Sequence, residues 1–158
     1  MHKSLEKYAI KIYNIFCINM YTQRCKMTRK ESREQAFILL FEYSFCGDSA
    51  NELFETAKEA GVKEHDEYCK NVVEKAIGNV EDINALITKY SKGWSISRIS
   101  RVALAALRIA IAEILYIESI PSSVSVNECL EIINKYASEQ DASFANGILG
   151  SIIRANGE

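Results

Sequence analysis

Between Val102 and Ile117 the chain carries sixteen residues, of which only Arg108 and Glu113 are not apolar. A helix that is apolar on every side must be covered by other helices in a water-soluble protein. Ala103, Ala105, Ala106, Ala110 and Ala112 are small enough to let those neighbours approach closely. The run has no Gly or Pro and is dominated by Ala, Leu and Ile, which favours helix over strand at this length. A membrane span needs roughly 20 apolar residues, and Arg108 interrupts this run early, so the pattern predicts a buried central helix. Pro121 ends it by pushing Ile120 out of helical geometry. Ser122, Ser123 and Ser125 are then candidate caps, Ser125 and Glu128 having capping-box spacing. Val124, Leu130, Ile133 and Ala137 keep helical spacing through the next helix. After Ser138-Glu139-Gln140-Asp141, a last helix carries Phe144, Ile148, Leu149, Ile152 and Ile153 on one apolar stripe.

Upstream, Thr28 is placed to cap a helix beginning near Arg29, with Ala36, Leu39, Leu40 and Tyr43 as its core face and Cys46-Gly47-Asp48 as its stop. Helices near 49–60 and 64–77 follow. Asn79 is expected to cap another, carrying Val80, Ile83, Leu86, Ile87 and Tyr90, which Lys92-Gly93 ends before Trp94. These elements predict an all-α, single-domain bundle of about seven helices over residues 27–155, joined by short connections. Residues 1–26 stand apart as an N-terminal extension. Lys3, Lys7 and Lys11 lie opposite Leu5, Tyr8, Ile12 and Ile15, a basic amphipathic pattern. Lys11 and Asn14 break the apolar run that a signal peptide requires. Met27 can itself be a start, and the extension is read as a start-site artefact or a dispensable tail.

Charge refines this picture. Net charge is only −2, but residues 1–33 carry eight Lys/Arg against two Glu, and residues 34–91 carry five against twelve acids. A basic end on an acidic body attracts phosphate locally. Arg29, Lys30 and Arg33 fall at i, i+1 and i+4, close enough to share one face. Tyr136 and Phe144 flank a polar link, and Asn146 offers an amide with donors and acceptors. Charge for the backbone, aromatic faces for unpaired bases and amides for base edges suit single-stranded RNA. By periodicity alone, Phe144 reads as core. The five cysteines are odd in number and include no C-x-x-C pair, which removes metal-site spacing and favours the reducing cytoplasm. Neither His2 nor His65 has a nucleophile motif beside it, and no phosphate-binding loop or metal motif occurs, so no cofactor, metal site or catalytic activity is expected. Arg108, inside the most apolar helix, needs a partner, with Glu113 and Glu128 as candidates for a structural polar group.

Trp94, Arg98, Leu107-Arg108, Ala110, Glu113, Ile120-Pro121, Val124, Asn127-Glu128 and Phe144-x-Asn146-Gly147-x-Leu149 together resemble the signature of the NusB family of bacterial transcription antitermination factors. Arg29-Lys30-x-x-Arg33-Glu34-x-Ala36, followed by Leu40, resembles the basic first helix of that family. The resemblance runs from about Met27 to about Ile153. It implies a factor that binds boxA-type single-stranded RNA of ribosomal RNA leaders with the ribosomal protein NusE. Such a factor acts in the RNA polymerase antitermination complex and promotes read-through, with no membrane role. Carried over by motif, the RNA-binding positions are Arg29, Lys30, Arg33, Tyr136, Phe144 and Asn146. The sequence departs from the family pattern at Glu31, at Ala103-Leu104, and at Ser143 and Ala145 on either side of Phe144. Two other readings stay open: a targeting domain acting with an RNA methyltransferase, and a helical protein–protein adaptor that binds no RNA.

Overall fold

The computed structural model describes residues 27–62 and 64–157. Among them are seven α-helices and no strand: α1 (Arg29–Cys46), α2 (Ala50–Glu59), α3 (Glu67–Gly78), α4 (Val80–Tyr90), α5 (Arg101–Tyr116), α6 (Ser122–Tyr136) and α7 (Glu139–Ala155). A short 3-10 turn, Ile96–Arg98, leads from α4 into α5. The central helix is α5, as the apolar run predicts. Every residue from Ala103 to Glu113 is buried, and α1, α3, α4, α6 and α7 all pack against it. The alanines on α5 permit this many neighbours, because a methyl side chain keeps two helix axes close. Leu39 and Leu40 of α1, Ile83 and Ile87 of α4, Ile133 of α6, and Ile148, Leu149 and Ile152 of α7 complete one continuous core.

The helix starts follow from local chemistry. Thr28 and Glu31 form a reciprocal capping box at α1, and Ser49 with Glu52 does the same at α2. Asp66 caps α3 by accepting from Cys69 N, and Ser100 caps α5 by accepting from Ala103 N. Each side chain satisfies a backbone donor that would otherwise lack an intrahelical acceptor. Gly47 closes α1 with φ of 71°, a left-handed conformation that costs a glycine little.

Three expectations about caps need correction. Asn79 makes no side-chain cap for α4; its Nδ2 instead donates back to the Lys75 carbonyl at 2.8 Å. Asn79 follows the last residue of α3 directly, so the carbonyls that α3 leaves open compete for the amide. At α6 none of Ser122, Ser123 or Ser125 caps, because the helix begins on Pro121 and these residues already lie inside it. Ser125 is buried there, and Glu128 is engaged elsewhere. The last helix starts at Glu139, ahead of the expected Asp141 boundary, because Ser138 and Asp141 form a further capping box.

Candidate nucleic-acid interface

The capping box fixes the first turn of α1 and with it Arg29 and Lys30, both exposed. The Arg29 guanidinium lies over the Tyr68 ring, 4.3 Å from its centroid. Lys30 reaches across to α6 and forms an ion pair with Glu131. That carboxylate raises the Lys30 pKa first through its hydrogen bond and then through its charge. Arg33, one turn further on, points inward and is only 2% exposed. Its Nε donates to Glu113 Oε1 of α5 at 2.8 Å, and its Nη1 lies 3.2 Å from Glu128 Oε2 of α6. The Tyr68 hydroxyl donates to the same Glu113 oxygen. One arginine therefore joins four helices, α1, α3, α5 and α6. Burial opposes its charge, but Glu113, the Tyr68 oxygen and Glu128 outweigh that penalty and raise its pKa.

Arg33 thus leaves the set of side chains that can meet a phosphate. Its position at i+4 from Arg29 suggests a shared outer face, but Arg29 and Lys30 precede the point where α1 becomes covered, and Arg33 does not. The same network corrects the pairing of Arg108. Glu113 and Glu128, its expected partners, belong to Arg33. Arg108 instead donates from Nε and Nη2 to Asn84 Oδ1 of α4, at 3.2 and 3.1 Å, and lies over Tyr43 of α1. Five residues separate Arg108 and Glu113, which turns their side chains roughly 140° apart around α5, toward different neighbours. Among the described residues no carboxylate forms an ion pair with Arg108, and burial lowers its pKa against the opposing influence of Tyr43 and Glu81.

At the C-terminal end of α6, the Tyr136 ring stacks on Phe37 of α1, with centroids 5.4 Å apart and planes 9° from parallel. Its hydroxyl donates to Glu34 Oε1 at 2.6 Å, and Lys135 pairs with the same carboxylate. Burial, then the Glu34 hydrogen bond and charge, push the Tyr136 phenol well above its ordinary range. The structure therefore brings Lys30, Arg33 and Tyr136 together along the seam between α1 and α6. Phe144 and Asn146 lie on the first turns of α7. Asn146 is exposed, and Phe144 is half-buried with its side chain packed against the edge of the core. Its ring meets Trp94, with centroids 5.8 Å apart and planes at 42°. Glu34, Glu131 and Lys135 at this surface, and the buried Phe37 beneath Tyr136, were not expected. Lys30 and Glu34 have the i, i+4 spacing of a shared face, a usable signal, whereas the pairings with α6 leave no mark in the sequence.

The described residues form an all-helical bundle whose first helix starts with two exposed cations, Arg29 and Lys30, and whose half-buried rings Tyr136 and Phe144 lie at the surface of α6 and α7. The NusB family model matches residues 30–154, and the chain belongs to the NusB family. It is 41% identical over 130 residues to the transcription antitermination protein NusB of Acetivibrio thermocellus, covering 81% of this chain and 90% of that protein. NusB of T. maritima superposes with a TM-score of 0.69 at 31% identity, covering 82% of this chain and 93% of the other. A crystallised complex of antitermination factors NusB and NusE with double-stranded RNA contains a chain that superposes with a TM-score of 0.70. That chain is 33% identical, and the match covers 80% of this chain and 96% of the other.

Proposed function

We propose that this protein is a transcription antitermination factor that holds boxA-type RNA of ribosomal RNA leader transcripts together with the ribosomal protein NusE. It promotes read-through by RNA polymerase through assembly, without catalysis. The observation that carries this reading is the first turn of α1, where a capping box fixes two exposed cations beside α6 in a member of the NusB family. The solved relative that binds NusE and RNA supports the choice of partners. Lys30 and Arg29 supply phosphate contacts, Tyr136 and Phe144 supply ring faces, and Asn146 reads a base edge. Arg33 acts beneath them by holding α1 in place.

Of the four groups with strongly perturbed protonation among the described residues, Tyr136 is tied to Glu34 and the other three lie inside the bundle, which supports a non-catalytic role. Tyr68, Cys69 and Cys129 are buried in the packing, where burial is the largest cause keeping their protons on. No helix of the described residues is long and apolar enough to cross a membrane. A cytoplasmic site of action follows from the proposed partners. The folding unit is proposed to span residues 27–155, so a chain begun at Met27 should keep a cooperative melting transition.

A salt titration of filter binding, with and without NusE, tests the reading. The Arg29→Ala, Lys30→Ala double variant should bind single-stranded boxA RNA more weakly at every salt concentration. The slope of log K on log salt should fall by roughly 0.7 for each phosphate that is no longer engaged. Binding equal to the parent at low salt would exclude the α1 surface and favour an adaptor that binds no RNA there.

A further inference from the structure

Trp94 is the chain's single tryptophan, and it is 53% exposed. Solitary exposed apolar side chains are ordinary, but this one is mounted on a constrained turn. Lys92 takes a positive φ of 51°, uncommon outside glycine, and Gly93 follows with φ of 89°. Trp94 N donates to the Ser91 carbonyl at 3.3 Å, and the buried Ser91 hydroxyl lies 2.7 Å from the Trp94 carbonyl. On the other side, Arg98 N donates to the Ser95 carbonyl at 2.9 Å. The backbone is thus pinned on both sides of a ring that is left half in solvent.

Charge along the chain on either side of that ring is of one sign, although Glu139 and Asp141 open the helix that carries its neighbour Phe144. From Ile83 to Ala112 the chain has no Asp or Glu, while Lys89, Lys92 and Arg98 are exposed close to Trp94 in sequence. This is a cationic segment in a chain whose net charge is −2. The indole also touches Phe144, two residues from the exposed Asn146. At 5.8 Å the two rings are in direct contact, so no base fits between them, and the open surface of the pair is on the half-exposed Trp94.

We propose that the open face of Trp94 is a stacking surface for an unpaired RNA base, extending the face begun by Phe144 and Asn146. The inference rests on the RNA-binding reading above and adds a contact and a specificity to it. The indole takes the base, while Lys92 and Arg98 meet the phosphates on either side. A strand crossing this turn must be single, because a paired base inside a duplex has no free face to offer.

Because Trp94 is the only indole, its emission reports the contact without any substitution. A fluorescein-labelled single-stranded boxA oligoribonucleotide is titrated into the full chain, with anisotropy reporting binding and tryptophan emission reporting stacking. The expected result is quenching that tracks the anisotropy, with a duplex of the same sequence leaving emission unchanged. Trp94→Ala should weaken single-strand binding by about 5- to 150-fold with an unaltered salt slope, and Trp94→Phe should retain most of the affinity. Anisotropy that rises while emission stays constant would overturn the proposal and leave the RNA reading intact. Equal quenching by the duplex would also overturn it, as would a Trp94→Ala variant that loses NusE but keeps RNA. No binding of any RNA at low salt, with or without NusE, would remove the RNA reading and this contact together. If Trp94→Ala does not fold, the emission titration of the parent and the affinity of Trp94→Phe still decide.

Discussion

Arg33 and Arg108 are two buried arginines in one core, and their partners separate their expected behaviour. Removing Arg33 leaves Glu113, 0% exposed, without a counter-charge, while Glu128 is left with the nearby Lys30. Arg33→Ala should therefore cost about 3–5 kcal/mol of stability, read from urea unfolding. Arg108→Leu should cost less, about 1–3 kcal/mol, because it strands only the neutral Asn84 oxygen. His65 adds a dependence on pH. It is buried against Phe54, and burial, then Lys70, hold its pKa below the ordinary 6.5, with Asp66 opposing. The unfolded chain takes up a proton that the folded imidazole resists, so stability present above that value is lost as pH falls below it. The melting temperature should drop between about pH 7 and pH 5, and drop less in His65→Phe.

Among the helices, the caps make the sharpest contrast. Ser100→Ala removes the acceptor for Ala103 N at the start of the central helix and should cost about 1 kcal/mol. Ser123→Ala, at an exposed position that caps nothing, should shift the urea midpoint by far less. Thr28 was legible as a cap because it stands directly before its helix; its box with Glu31 was not read, although it lies within four neighbouring residues. Ser125 and Glu128 have the same spacing without the box, since Pro121 had already begun the helix and the core had claimed Ser125. Local signals locate a helix start only when no stronger breaker stands just upstream. The burial of α5 on all sides was legible for a different reason: two charged residues in sixteen leave it no solvated face.

For the molecule as a whole, the sequence could show which residues share a helix face but not which faces meet. The pairing of Lys30 with Glu131 spans 101 positions, and that of Tyr136 with Glu34 spans 102. No periodicity encodes such a pairing, so Arg33 was assigned outward, and Glu34, though part of the first-helix motif, was given no role at the site. The packing also predicts thiol reactivity. Cys46 is exposed, while Cys69 and Cys129 are buried at 0% and 2% exposure. Burial also raises the pKa of both inner thiols, which leaves little thiolate to react. Iodoacetamide followed by peptide mass spectrometry should find Cys46 labelled in the native protein. Cys69 and Cys129 should label together, at a rate set by opening of the bundle. Early labelling of Cys129 alone would mean that α6 detaches before the rest.

On the proposed reading, the pairing of Lys30 with Glu131 makes a phosphate contact at Lys30 an exchange of anions. A phosphate that takes Lys30 must displace a carboxylate already seated there, so Glu131 acts as an internal competitor tethered at permanently high local concentration. Salt weakens the competitor as well as the ligand, which makes the observed salt slope shallower than the number of cations engaged. Glu131→Gln should release Lys30, tighten RNA binding at low salt and steepen its salt dependence. On that reading, the acid on α6 tunes the affinity that the bases on α1 supply.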